Sequence, residues 1–239
     1  MKSIGLVGGT FSNLIIAIEL AETHQITLIE LNAEIGLPSS SPGYIQNQNT
    51  LTNYLSQQQI DFLQIHSIDN GFTLRSEWAL KHLAVIAAEK GVEIYTRTRI
   101  TKCIENSNGY SIHFVGAGST SSGTIHCDSL VNDIQWTYQS PGEKQHQIPQ
   151  SNTILIPEFG KFISIHGGTA LTSDCLEVPA ETTYYPRSEG LTEIWQTSEN
   201  WTPNKGWIET IHCTLPEHLE KRHIDAQISE GRRISELLK

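Results

Sequence analysis

Apolar and polar positions change rhythm along this chain, and the opening rhythm is the most regular. Lys2 to Val7 is apolar and β-capable through Ile4, Leu6 and Val7, Gly8 and Gly9 interrupt it, and Leu14 to Ala21 then repeats apolar residues at helical spacing. The next apolar run, Ile26 to Ile29, has strand length and closes on Glu30. The pattern predicts a βαβ unit with a carboxylate at the tip of its second strand. Pro38 to Asn53, rich in Ser, Gln and Asn, reads as a loop over the end of that sheet, followed by a short helix at Leu51 to Ile60 and short strands at Phe62 to Ile65 and Phe72 to Leu74. A long amphipathic helix spans Ser76 to Lys90, with Leu80, Leu83, Ala84, Ala87 and Ala88 as its stripe and Gly91 as its cap.

Strands are predicted again at Val92 to Tyr95, Arg99 to Glu105 and Tyr110 to Val115, the last two joined through Asn106-Ser107-Asn108-Gly109, a hairpin signal. A partner strand at Thr124 to His126 and a core strand at Ser129 to Val131 follow. From Ile134 to Thr214 the pattern becomes short β-like runs, Thr153 to Ile156, Phe162 to Ile165, Thr192 to Gln196 and Trp207 to Thr214, which predict a second, antiparallel sheet. Gly167-Gly168 reads as a turn near a ligand, and His223 to Lys239 as a closing amphipathic helix.

The opening unit has the order of parts of a dinucleotide site. There the first glycine makes the turn, the second admits the pyrophosphate, the third lets the helix pack close, and the acid takes ribose hydroxyls. On that template the glycine positions fall on Gly8, Thr10 and Asn13, while Glu30 stands 22 residues after Gly8, near the ~20 expected. Thr10, Ser12 and Asn13 carry groups able to donate to phosphate oxygen. The competing reading of Gly8 and Gly9 is that they simply end a buried strand.

The stretch IGLVGGTFSNLIIAIELAETHQITLIELNAEIG resembles the N-terminus of the FAD-dependent oxidoreductases of the glutathione-reductase-like superfamily, in particular the geranylgeranyl-reductase and aromatic-hydroxylase branch. Glu34-Ile35-Gly36 matches the loop after the acid, and Leu37 to Gly43 stands where reductases carry a cysteine and glycine segment, here without the cysteine. The helix ending before Gly91-Val92, the β-meander, Asn132-Asp133 in place of A-D-G, and the closing DAQISEGRRISELL follow in the family's order. A G-D motif before that helix is not recognisable. The resemblance implies an α/β fold, a Rossmann-like FAD/NAD(P)-binding parallel sheet with helices plus a smaller antiparallel β-rich second domain. Residues 1–133 with 215–239 would form the FAD-binding domain, and 134–214 a substrate or cap region. It implies FAD contacts at Gly8, Gly9, Thr10, Phe11, Ser12, Asn13, Glu30, Leu31, Arg75 and Ile100, the last through backbone against adenine.

Charge narrows the partners. Lys plus Arg number 16 against 26 Asp plus Glu, a net charge of -10 with no basic run, which argues against nucleic acid and anionic membranes and for a small-molecule substrate. No apolar run approaches the ~20 residues of a membrane span and no signal-type region opens the chain, so a cytoplasmic protein is expected, with a homo- or hetero-oligomer as the assembly considered. Cys103, Cys127, Cys175 and Cys213 form no C-x-x-C and read as buried thiols; the His126-Cys127 and His212-Cys213 neighbours lie in strand-like sequence, where adjacent side chains diverge, so no metal site is expected. Trp136, Trp195, Trp201 and Trp207 with Tyr138, Tyr184 and Tyr185 form either an aromatic pocket or sheet core.

Two function classes follow. One is a small FAD-dependent oxidoreductase acting on a small or medium organic substrate, the flavin carrying the redox step. The other is a degenerate flavoprotein-fold subunit without redox activity, acting as a binding or regulatory partner. Gly8-Gly9-Thr10-Phe11 also resembles the G-G-T-G-F turn of nicotinamide dehydrogenases and epimerases, but no Tyr-x-x-x-Lys pair occurs: the fourth residues after Tyr95, Tyr110 and Tyr185 are Arg99, Phe114 and Glu189. No catalytic residue is identified by pattern.

Overall fold

The computed structural model describes residues 1–38, 41–116, 121–134 and 146–239. Strand β1 (Ser3–Val7), helix α1 (Phe11–Leu20) and strand β2 (Gln25–Ile29) form the opening unit as the pattern requires. Ile4, Leu6, Leu14, Ile15, Ile16, Ala17 and Leu28 are all buried, so this unit is apolar on every side that meets a neighbour. The predicted loop after it contains a two-residue strand, β3 (Tyr44–Ile45), and the short helix α2 (Asn49–Thr52). The expected Phe62 to Ile65 strand is corrected: helix α3 (Gln57–Phe62) runs through Phe62, because Ser56 and Gln59 form a capping box that starts a helix there. Strand β4 (His66–Ile68) follows, then β5 (Gly71–Thr73), then the long helix α4 (Ser76–Glu89).

Strand β6 (Glu93–Tyr95) returns to β2, the meander β7 (Thr98–Asn106), β8 (Gly109–Gly116) and β9 (Ser122–Cys127) forms its own antiparallel sheet, and β10 (Ser129–Asn132) re-enters beside β1. The four-stranded parallel sheet has the order β10-β1-β2-β6. Leu155 bridges parallel to Val131, so the predicted Thr153 to Ile156 strand is a single bridge on this first sheet and no part of the antiparallel one.

The second sheet is built from β11 (Phe162–Leu171), β12 (Thr183–Pro186), β13 (Leu191–Gln196) and β14 (Glu209–Pro216), all antiparallel, in the order β12-β13-β11-β14. The Gly167-Gly168 turn is a second correction. Both glycines lie inside β11, where an added Cβ would come within 1.8 Å of the Ile194 carbonyl at one and 1.9 Å of the Glu209 carbonyl at the other. They are glycine because strands pack against β11 from both sides. Helix α5 (Ile224–Leu238) brings the chain back onto α1, with Gly231 seated on Ser12. The architecture is thus a parallel sheet with helices and separate antiparallel sheets. Among the described residues no helix is long and apolar enough to cross a membrane.

Among the described residues, the aromatic side chains of the second half are dispersed. Trp195 is buried in the sheet core, Tyr185 stacks on Tyr44 at 5.1 Å, Trp201 and Trp207 meet edge to face at 6.1 Å, and Tyr184 is exposed. Trp136 and Tyr138 lie outside the described residues. The thiols of Cys103, Cys127 and Cys213 are buried and unpaired, and burial pushes those of Cys127 and Cys213 up to about 12. They are inert under ordinary conditions.

Candidate functional site

The tips of β1, β2 and β10 meet at the start of α1, where the sequence places the cradle. Gly8 has φ +100°, and a Cβ there would stand 2.6 Å from the Asp133 carbonyl, so the residue after β10 fixes this position as glycine. Thr10 is the N-cap of α1: its hydroxyl accepts from the Asn13 amide at 3.3 Å and donates to Asp133 Oδ2 at 2.6 Å. Asp133 is 1% exposed. Burial pushes its carboxyl up to about 7, against the Thr10 hydrogen bond, which pulls it down. The Ser12 hydroxyl faces the same carboxyl and likewise opposes the shift.

Asn13, at the third glycine position, is fully buried and spends both amide hydrogens on the end of β1, donating to the Val7 and Gly8 carbonyls at 2.9 Å each. Phe11 and Ser12 are fully buried beside it. Glu30 turns back into the turn. Its Oε2 accepts from the Gly9 amide at 2.6 Å and its Oε1 from the Asn32 amide at 2.7 Å, with the Leu31 amide also facing it. Burial raises this carboxyl above its ordinary range while the backbone donors oppose the shift.

Ile100, on β7, shares a buried cluster with Val7 and Ile29 at the strand tips. Its amide donates to His146 Nδ1 at 2.9 Å and its carbonyl accepts from the Gln147 amide at 3.0 Å. Arg75 sits one residue ahead of α4, binds Glu77 through Nε at 2.6 Å and lies 4.0 Å over the Trp78 ring. The structure therefore gathers Gly8, Gly9, Thr10, Phe11, Ser12, Asn13, Glu30, Leu31 and Ile100 around the strand tips, and ties the Arg75 guanidinium to its own helix. Sequence reasoning named Asp133 only as a motif remnant and missed His146. The signal for Asp133 was its place directly after the strand beside β1; His146 had none, lying 46 residues from its partner.

No protein-family model and no curated protein matches the sequence. Solved structures do match. A geranylgeranyl bacteriochlorophyll reductase-like protein from Thermoplasma acidophilum superposes with a TM-score of 0.67 at 13% identity, over 99% of this chain and 77% of that one. Glycine oxidase from Geobacillus kaustophilus gives 0.59 at 12%, over 100% and 95% of the two chains, and p-nitrophenol 4-monooxygenase from Pseudomonas putida 0.58 at 8%, over 100% and 80%. The fold is that of the FAD-dependent oxidoreductases. At these identities the likeness is one of fold.

The residues at the cradle do not fit an FAD held in the way this fold implies. A diphosphate lies over the glycine turn at the start of the first helix, where amides and donors meet it. Here Asp133 stands on that turn, the Thr10 and Asn13 donors are spent within the chain, and the Gly9 amide is bonded to Glu30. The Asn13, Asn132 and Asp133 Oδ1 atoms are buried without a partner. The two amide oxygens are acceptors, which a phosphate, itself an acceptor, cannot satisfy, while the Asp133 carboxyl, held up to about 7, is part-protonated at neutral pH. Glu230 adds a further negative charge that acts on Asp133.

Proposed function

We propose that this chain is a flavoprotein-fold protein without redox activity of its own, serving as a binding or regulatory subunit. One observation carries the reading: of the groups that would hold a dinucleotide, the Gly9 amide, the Thr10 hydroxyl, the Glu30 carboxyl and the Ile100 backbone are each bonded to another part of the same chain, and the Ser12 hydroxyl alone among the side-chain donors named for phosphate is buried without a hydrogen bond. Displacing those partners leaves buried polar groups unpaired, which costs about 1–3 kcal/mol apiece. A cofactor would have to offset several such losses before gaining affinity. The redox step of flavoenzymes belongs to the cofactor, so a chain that does not hold it keeps the shape and lacks the chemistry.

A second reading is favoured by the fold neighbours and by Glu30 standing at the tip of β2: a small FAD-dependent oxidoreductase of a small organic substrate. The two part on one experiment. The purified protein is examined for flavin absorbance in the visible and then titrated with FAD, following quenching of flavin fluorescence. A colourless protein that leaves added FAD unquenched is the result expected.

A further inference from the structure

We infer that Asp133 and His146 are the chain's own occupants of the nucleotide cradle, Asp133 at its diphosphate end and His146 with Gln147 at its base end. The inference rests on the reading just given and names the groups responsible for it.

At the helix start Asp133 blocks by its position. The Asp133 carboxyl lies 2.6 Å from the N-cap hydroxyl of α1 while its own carbonyl presses on Gly8, so it covers the turn over which a diphosphate would lie. Among the described residues the carboxyl accepts from the Thr10 hydroxyl, with the Ser12 hydroxyl facing it. It is held there by the continuation of β10, whose Asp133 amide donates to the Val7 carbonyl at 2.9 Å.

At the other end donors and acceptors match a base. Adenine presents an unprotonated ring nitrogen as acceptor beside an exocyclic amine as donor. His146 and Gln147 present the same pair to Ile100: a ring nitrogen that accepts from its amide, and an N–H that donates to its carbonyl. The ring is the unprotonated acceptor that this contact needs. Glu30 lies between the two ends, its backbone joined to the start of β7 through the Thr98 amide, which donates to the Glu30 carbonyl at 3.0 Å. Base and diphosphate ends are thus filled by His146 with Gln147 and by Asp133, with Glu30 between them.

The test opens each end separately. Thr10→Gly/Asp133→Ala clears the helix start, His146→Ala clears the Ile100 backbone, and the triple variant clears both. Each is titrated by calorimetry with inorganic pyrophosphate, adenosine and ADP, beside wild type, with circular dichroism to confirm folding. The double variant is expected to gain at least about tenfold in pyrophosphate affinity, His146→Ala a similar gain for adenosine, and the folded triple variant a gain for ADP exceeding either. A folded triple variant that binds ADP no better than wild type overturns the inference. Should the triple variant not fold, Asp133→Ala with pyrophosphate and His146→Ala with adenosine decide it, and no gain in both overturns it. Wild type that itself binds FAD or ADP tightly overturns the proposed function as well, whereas inert wild type with inert variants overturns this inference alone.

Discussion

The Thr10 hydroxyl donates to Asp133 Oδ2 at 2.6 Å, joining residues 123 positions apart at the start of the first helix. In that position the bond does two things: it caps α1 and it covers the glycine turn. Thr10→Ala removes the cap and leaves the Asp133 carboxyl without its donor, so the variant is expected to lose about 1–2 kcal/mol of stability in urea unfolding. A loss no larger than that of an ordinary surface substitution would mean that the bond carries no stability.

Opposite pH dependences are expected from the two buried groups at the cradle. Burial holds the Asp133 carboxyl at about 7 in the folded chain, above its ordinary 3.8. Its contribution to stability is full below its unfolded value and is lost as the pH rises through about 7. His146 is pushed the other way, from 6.5 down to about 4, first by burial and then by the charge of Arg99. Its contribution is full above 6.5 and is lost as the pH falls through about 4. Asp133→Asn should therefore gain melting temperature relative to wild type as the pH rises from about 4 to about 7, and His146→Ala should gain as the pH drops from about 7 to about 4. Difference curves that stay flat with pH contradict both assignments.

Helix α5 is held on α1 at a point where no side chain fits. A Cβ on Gly231 would stand 2.6 Å from the Ser12 carbonyl and 3.0 Å from Ile15 Cβ. Gly231→Ala must push the two helices apart, with an expected cost of about 1–3 kcal/mol, exceeding the small gain in helix propensity. Denaturant unfolding measures it; a stabilised variant would show that α5 does not dock there.

The first unit was legible because its periods are local: strand, turn, helix and strand each declare themselves within a few residues, from Ile4 to Glu30. The closing helix was legible for the same reason, and its seat on α1 is marked by Gly231. Gly167 and Gly168 misled because glycine signals a turn and a crowded strand equally, and only the neighbours, Ile194 and Glu209, tell them apart. Phe62 misled because an apolar β-former there is outweighed by the capping box upstream at Ser56. At the cradle the sequence shows which groups could meet a nucleotide but not which of them the chain uses itself. The Thr10–Asp133 and Ile100–His146 bonds are long-range, and no pattern around any of the four residues predicts its partner.

On the proposed reading, the flavoprotein fold is present while its dinucleotide position is taken by the chain itself. FAD titration of the purified wild-type protein tests it most directly. No flavin absorbance as isolated and no quenching of FAD fluorescence up to about 1 mM, near −4 kcal/mol of binding free energy, are expected. A yellow protein, or one that takes up FAD with micromolar affinity, would contradict it.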